Sequence, residues 1–311
     1  MNKYIEPRLR RDFSGVITAF VDFLKGNHVN LLSIFISYNF VFIVIFFLYN
    51  YLVSDGIAGL IAITSGDLGG YVDYAQQDNG DYETIGVIAM IISYLLMIAL
   101  NAGLAGIYMR LYERYQHGDI TGKAIFKLAI RKIGGMLLLM LLAAIASLPI
   151  LIISFISLII PLLGIFVFLL IFSAFLTWIG LSFFAYTYNE DLSTVGALGL
   201  GWQLLFSNFW RAVSVATVTA IVIQVLFFMF QLLPGAIIGM IGYNSTMDNV
   251  EMQEDIYVKA ISFVFYAVNS ITTILTFMLI MFMYGYLYLN LHETKFNVYL
   301  QTRIHKLGKH L

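Results

Sequence analysis

The sequence predicts an all-α integral membrane protein with six transmembrane helices in three pseudo-repeats, each an interfacial amphipathic helix followed by a transmembrane hairpin. Of the 311 residues, 60% are hydrophobic and only 11% are charged, and the mean hydropathy is +0.87. Soluble chains are about 25% charged, so this composition excludes an ordinary soluble protein. Six apolar runs are long enough, as helices, to cross a hydrocarbon core of roughly 30 Å.

The six predicted spans form a single domain that covers residues 1–311. No span contains Lys, Arg, Asp or Glu away from its ends. The polar N-terminus MNKYIEPRLRRDF does not resemble a cleavable signal peptide, so we expect the first span to direct membrane insertion. The spans are predicted at residues 29–53, 85–107, 136–160, 165–188, 212–233 and 260–289.

The basic residues predict the orientation. Of the 17 Lys and Arg residues, all but Lys259 lie at the N-terminus, between spans two and three, between spans four and five, or in the C-terminal tail. The positive-inside rule therefore predicts that both termini and these two connections are cytoplasmic. We expect a multi-pass protein of the bacterial inner (cytoplasmic) membrane. The opposite side is predicted to be acidic, with Asp55, Asp67, Asp73, Asp78, Asp81 and Glu83 in the first outer loop and Asp248, Glu251, Glu254 and Asp255 in the last.

Three similar segments precede spans one, three and five. Each begins with Asp, an apolar residue and Ser or Thr, continues for about four helical turns, and enters a span through Gly or Asn. This pattern predicts three surface helices at residues 12–26, 119–133 and 191–207, and hence an internal repeat. The alternative is that any amphipathic helix before a span has these features. The segments read DFSGVITAFVDFLKGN, DITGKAIFKLAIRKIGG and DLSTVGALGLGWQLLFSN.

Two of these helices carry the predicted contact residues. In the second helix, basic residues recur at four-residue steps, which suits a helix lying on an anionic leaflet. In the third, large apolar residues recur at three- and four-residue steps, from Val195 through Leu198, Trp202 and Leu205 to Phe209. Glycines at 196, 199 and 201 predict close contact with a neighbouring backbone. The candidate lipid or partner contacts are Lys123, Lys127, Arg131, Trp202, Trp210 and Arg211.

Polar residues inside the spans favour helix packing over a substrate path. Hydrogen bonds between membrane helices contribute about 0.6 to 2 kcal/mol each, and no charged residue lies near a midplane, where proton- and ion-coupled carriers usually have one. Breaks at Pro149 or Pro234 would be the best indication of a cavity. The candidate intramembrane polar residues are Asn39, Asn101, Gln224 and Asn269.

The residues that catalysis requires are not found as a group. The chain has no cysteine, and its five histidines lie at the predicted cytoplasmic edge or in the tail without metal-ligand spacing. No nucleotide-binding glycine loop and no pair of intramembrane carboxylates occurs. We therefore expect no catalytic residue, no metal and no cofactor.

The stretch FFAYTYNEDLSTVGALGLGWQLLFSNFWR resembles the six-helix membrane family named glycerophosphoryl diester phosphodiesterase membrane domain, and its relatives of unknown function. In the family an acidic residue and Ser or Thr precede a helix with Trp, and an aromatic pair opens the next span. The usual Ser before that Trp is Gly201 here. The matching positions are Glu190, Asp191, Ser193, Ala197, Leu198, Gly201, Trp202, Leu204, Asn208, Phe209 and Trp210.

The resemblance implies a six-helix membrane fold and no phosphodiesterase activity. The family is named after fusions to a separate soluble catalytic domain, and the roughly 20 residues after span six are too few for one. We therefore expect a non-catalytic scaffold or assembly component that binds membrane lipids, membrane-protein partners or a second copy through its cytoplasmic helices. The alternative is a permease or lipid-handling transporter. No nucleic-acid partner is expected.

Overall fold

The computed structural model describes residues 4–52, 80–115, 120–160, 163–248 and 256–298, together with Gln301 and Ile304. All regular secondary structure within these residues is helical. Among the residues of the predicted outer loops, positions 55–78 and 251–255 lie outside the described part of the chain, as does Asp119 of the second predicted surface helix. The helices are α1 (Phe13–Leu52), α2 (Gly80–Tyr115), α3 (Gly122–Ser157), α4 (Leu163–Tyr188), α5 (Thr194–Ser207), α6 (Phe209–Asp248) and α7 (Ile256–Phe296).

Six of these helices are long and apolar enough to cross a membrane, which confirms the predicted number of spans for the described residues. They are α1, α2, α3, α4, α6 and α7. Helix α1 has 40 residues and is therefore about 60 Å long, twice the thickness of a hydrocarbon core. The protein is thus a multi-pass membrane protein whose longest helices extend well beyond one bilayer core.

The predicted separation of surface helix and span is wrong for the first two segments. Of the first predicted segment, residues 13–26 continue into the first span as α1, and of the second, residues 122–133 continue into the third span as α3. An unbroken helix keeps its backbone groups hydrogen-bonded, whereas a break would leave several unpaired. The side chain of Asn27 donates to the carbonyl of Phe23 at 2.9 Å within α1 instead of ending the helix. Only the third surface segment forms a separate helix, α5.

The shared Asp-x-Ser/Thr triplet caps these helices in different ways. The Asp12 carboxylate accepts a hydrogen bond from the Gly15 amide at 2.9 Å, so the first residue of the triplet caps α1. The third residue, Ser193, caps α5 by accepting from the Gly196 amide at 3.1 Å. Thr121 occupies the cap position of α3 without a side-chain bond. The threefold repeat therefore stays a prediction.

Neither of the two prolines at which a break would indicate a cavity interrupts its helix. Pro149 lies inside α3, and α6 continues through residue 234. A proline removes one hydrogen bond from a helix, and the membrane favours keeping the remaining bonds of the helix intact. The prolines therefore do not mark broken helices.

The chain divides into two compact units. Unit 1 comprises Met1–Tyr38, Ile98–Ile223 and Phe277–Leu311, and unit 2 comprises Asn39–Met97 and Gln224–Thr276. Unit 1 contains α3, α4 and α5 entirely, and its core is rich in fully buried aromatic residues such as Tyr108, Phe184 and Phe282. In unit 2, the rings of Phe46 and Tyr94 stack with centroids 4.4 Å apart. The predicted lipid or partner contact residues, on α3, α5 and the start of α6, all lie in unit 1.

Candidate functional site

Residues 4–12, here called the N-terminal segment, are tied to the ends of several helices in unit 1. The Ile5 amide donates to the Tyr112 hydroxyl of α2 at 3.1 Å. The Asn290 side chain of α7 donates to the carbonyls of Leu9 and Arg11 at 3.1 and 3.2 Å. The segment that the sequence marked only by its positive charge is therefore a packed part of the structure.

Arg8 forms a closed triad with Glu113 at the end of α2 and Tyr188 at the end of α4. Its Nε lies 3.1 Å from a carboxylate oxygen of Glu113, and the Tyr188 hydroxyl accepts from Arg8 while donating to Glu113. The side chains of Arg8 and Glu113 are only 27% and 17% exposed. Burial alone lowers the pKa of Arg8, but Tyr188 and Glu113 outweigh it and raise this pKa above its ordinary value. The triad holds its charges as an internal pair.

Two further basic residues are used within unit 1. The Lys132 ammonium donates to the carbonyl of Tyr186 at 2.8 Å and to that of Asn189, so it satisfies the carboxyl end of α4. Arg110 pairs with the exposed Glu190 at 2.9 Å. These contacts explain why α4 ends beside α2 and α3.

The predicted basic residues of α3 make no such contacts with the described part of the chain. Lys123, Lys127 and Arg131, here called the basic stripe, are exposed and lie on one face at four-residue steps. Phe126 and Ile130 beside them are 41% and 46% exposed. The opposite face is anchored by the buried side chains of Ile125 and Ala129. The stripe thus presents three cations interleaved with apolar side chains at the start of a membrane-spanning helix.

Helix α5 packs on α4 through small residues. Gly201 lies against Ser182 so closely that a Cβ would meet the serine backbone, and the Trp178 indole donates to the Leu198 carbonyl at 2.9 Å. Gly199, in contrast, has nothing within 4 Å of its Cβ position. The predicted close backbone contact is therefore found at Gly201 and is absent at Gly199.

The buried face of α5 differs from the predicted apolar stripe. The residues that pack inward are Thr194, Ala197, Gly201, Leu204 and Leu205. Small side chains allow the close approach to α4, and this turns several larger side chains outward. The exposed apolar residues on and just after α5 are Val195 at 68%, Trp202 at 49%, Phe206 at 52% and Trp210 at 69%.

An apolar groove of about 290 Å³ lies between α3, α4, α5 and the start of α6. The rings of Trp178 and Trp202 meet edge to face in its wall, with centroids 5.4 Å apart. Almost all of its lining surface is apolar, so it offers no group for chemistry. The lining residues are Ile150, Leu170, Ile171, Ala174, Phe175, Trp178, Trp202, Leu205, Phe206 and Phe209.

The predicted contact residue Arg211 has an internal role instead. Its guanidinium donates to the Arg11 carbonyl at 3.3 Å and to the Thr294 hydroxyl at 3.1 Å. It therefore fastens the N-terminal segment to α6 and α7. The sequence missed this role because the partner groups are a backbone carbonyl and a hydroxyl more than 80 residues away.

The four predicted intramembrane polar residues lie in both units and differ in exposure. Asn101 is buried in unit 1 and Asn39 is buried in unit 2. In unit 2, Asn269 accepts a hydrogen bond from Gln231 at 3.1 Å, and Gln231 also donates to the Thr272 hydroxyl at 2.7 Å. Gln224 is exposed. The sequence reasoning missed Gln231, although it lies two helical turns after Gln224 and so on nearly the same face of α6.

Within the residues that the structure describes, no group of three or more His, Asp or Glu side chains could hold a metal ion. Comparison of the chain with protein-family models, curated proteins and solved structures finds no match. The resemblance to the phosphodiesterase membrane-domain family therefore stays a prediction.

Proposed function

We propose that this protein is a non-catalytic component of the bacterial inner membrane that binds anionic lipids and partner proteins through α3 and α5. The observation that carries the proposal is the basic stripe, whose three cations stay exposed while Lys132 and Arg211 are used internally. In this proposal the stripe lies on the cytoplasmic side, as the distribution of Lys and Arg predicts.

The chemistry of the stripe suits an anionic leaflet. Each Lys or Arg near a negatively charged membrane surface contributes about 1 kcal/mol of attraction. Phe126 and Ile130 can enter the headgroup boundary between the cations, because their side chains are exposed on the same part of α3. Charge and apolar contact then act on the same surface.

Helix α5 adds aromatic contacts to this proposal. Trp202 and Trp210 are both exposed, and Trp side chains favour the membrane interface because the ring is apolar and the N–H is polar. If the three predicted surface helices are repeats, as we further propose, α1 and α3 keep the surface helix fused to the span while α5 separates from it. The last copy would then take a partner on the side that does not pack against α4, where Trp202 is exposed.

The triple change Lys123→Glu, Lys127→Glu and Arg131→Glu is expected to reduce retention of anionic phospholipid at least tenfold. Three attractions of about 1 kcal/mol become repulsions, and a loss of 1.4 kcal/mol already corresponds to a factor of ten. Retention is measured by native mass spectrometry after purification from vesicles containing phosphatidylglycerol and phosphatidylcholine.

The matched control is Lys123→Arg, Lys127→Arg and Arg131→Lys, which keeps all three charges and should retain the lipid. Unchanged lipid retention in the glutamate variant, with the fold intact by circular dichroism, would count decisively against lipid binding by the stripe.

The second candidate function is a permease, and the hydrogen-bonded cluster of Gln231, Asn269 and Thr272 favours it. A polar cluster within the spans could line a path for a polar solute. If it does, Gln231→Leu should lower solute flux into reconstituted vesicles at least tenfold, whereas Phe230→Leu on the exposed neighbouring position should not. Absence of flux for every member of a broad panel of solutes and lipids would reject this candidate.

A further inference from the structure

Gln224 is an exposed polar side chain in an apolar segment. Among the residues that the structure describes, none forms a hydrogen bond with its amide. Its neighbours Val225 and Phe228 are 53% and 57% exposed. Exposed apolar side chains such as these are typical of a surface that faces lipid. The amide of Gln224 is the polar group among them.

The predicted depth of Gln224 keeps the side chain away from water. The span predicted from the sequence covers residues 212–233, so Gln224 lies 12 residues from one end and nine from the other. At 1.5 Å per residue these distances are about 18 and 14 Å, well beyond the reach of a glutamine side chain. An amide left unpaired in hydrocarbon is costly, which favours a partner beyond the described residues of one copy.

We propose that Gln224 is the centre of a contact between the α6 helices of two copies of this protein. A carboxamide carries both a donor and an acceptor, so it is complementary to a second carboxamide. Two copies inserted in the same orientation are related by a twofold axis along the membrane normal. Their α6 helices then run parallel, and each Gln224 meets its equivalent at the same depth.

The rest of this surface is compatible with a helix pair. Phe228 lies one turn further along nearly the same face and would pack beside the paired amides. Val222 lies only about 3 Å from Gln224 along the helix axis and is 52% exposed. It points away from Gln224, however, by about 160° around the helix. The side of α6 with Gln224 and Phe228 is therefore expected to contact the second copy, and the side with Val222 is not.

Cysteine cross-linking tests the geometry directly, because the chain contains no cysteine. In native membranes under mild oxidation, Gln224→Cys and Phe228→Cys are expected to yield disulfide-linked dimers, and Val222→Cys is expected to yield few. Equal cross-linking at positions 222 and 224, or none at 224 and 228, would overturn the proposal and leave lipid as the neighbour of this face.

The strength of the contact is tested by single-molecule photobleaching in vesicles at graded protein density. Gln224→Leu is expected to raise the dimer dissociation constant about 3- to 30-fold, the range for a hydrogen bond between membrane helices. Gln224→Asn keeps the carboxamide, so its dimer dissociation constant should lie between those of the original chain and of Gln224→Leu. A Gln224→Leu variant that dimerises as well as the original chain would contradict the role of the amide, whatever lipids the basic stripe retains.

Discussion

Replacing Glu113 by Ala is expected to lower the free energy of unfolding by about 2 to 4 kcal/mol, since removing one partner leaves a largely buried charge unpaired. Arg8 is 27% exposed, and among the described residues the Tyr188 hydroxyl would remain as the hydrogen-bond partner of its guanidinium. The same change releases the Tyr188 hydroxyl from its acceptor. Unfolding in SDS, followed through tryptophan fluorescence, measures the loss.

The control is Glu190→Ala, which removes the other ion pair at this end of unit 1. Glu190 is 69% exposed, and exposed ion pairs contribute at most about 1 kcal/mol. Both variants lose one negative charge, so the difference between their unfolding free energies reports the effect of burying the ion pair. A loss below 1 kcal/mol for Glu113→Ala would mean that water reaches the triad and replaces the missing carboxylate.

Gly201→Ala is expected to destabilise the protein by about 1 to 3 kcal/mol, the usual cost of forcing an extra methyl group into a packed contact. The added Cβ would lie 3.0 Å from the Ser182 nitrogen and 3.1 Å from its Cα. These are backbone atoms of α4 and cannot move aside as a side chain could. The Ser182 hydroxyl is held as well, because it donates to the Trp178 carbonyl at 2.7 Å.

Gly199→Ala is the matched control on the same helix, and its effect should have the opposite sign. Nothing lies within 4 Å of that Cβ position, so the substitution adds only helix propensity, up to about 1 kcal/mol of stabilisation. The same SDS titration measures both variants. Equal effects at the two positions would show that α5 does not depend on close packing against α4.

The sequence predicts the spans well because their signal is local. An uninterrupted apolar run needs no knowledge of its neighbours, and the absence of charge within it is a direct requirement of the bilayer. The ends of the helices are harder to predict, since residues such as Gly26 and Asn27 can either end a helix or lie within one. In α1 the Asn27 side chain bonds within the helix, and only tertiary structure decides between these outcomes.

The candidate site likewise has features that the local sequence predicts and others that depend on distant residues. The exposure of the basic stripe follows from its spacing, but nothing in the spacing separates Lys127 from Lys132, which bonds the end of α4. The Arg8 triad joins residues 105 and 180 positions apart, and no periodic pattern reports a contact of that range. On α5 the periodicity marks the large apolar residues, and it does not report that Thr194, Ala197 and Gly201 pack inward.

The N-terminal segment also fixes the order in which the chain can be completed. Asn290 holds the carbonyl of Leu9 across 281 residues of sequence, and at 5 to 20 residues per second a ribosome needs roughly 15 to 60 s to make the intervening chain. During that time the carbonyls of Leu9 and Arg11 have no Asn290 side chain to accept from. This part of the N-terminal segment is therefore completed last, and its resistance to protease would report that the final helix has entered the membrane.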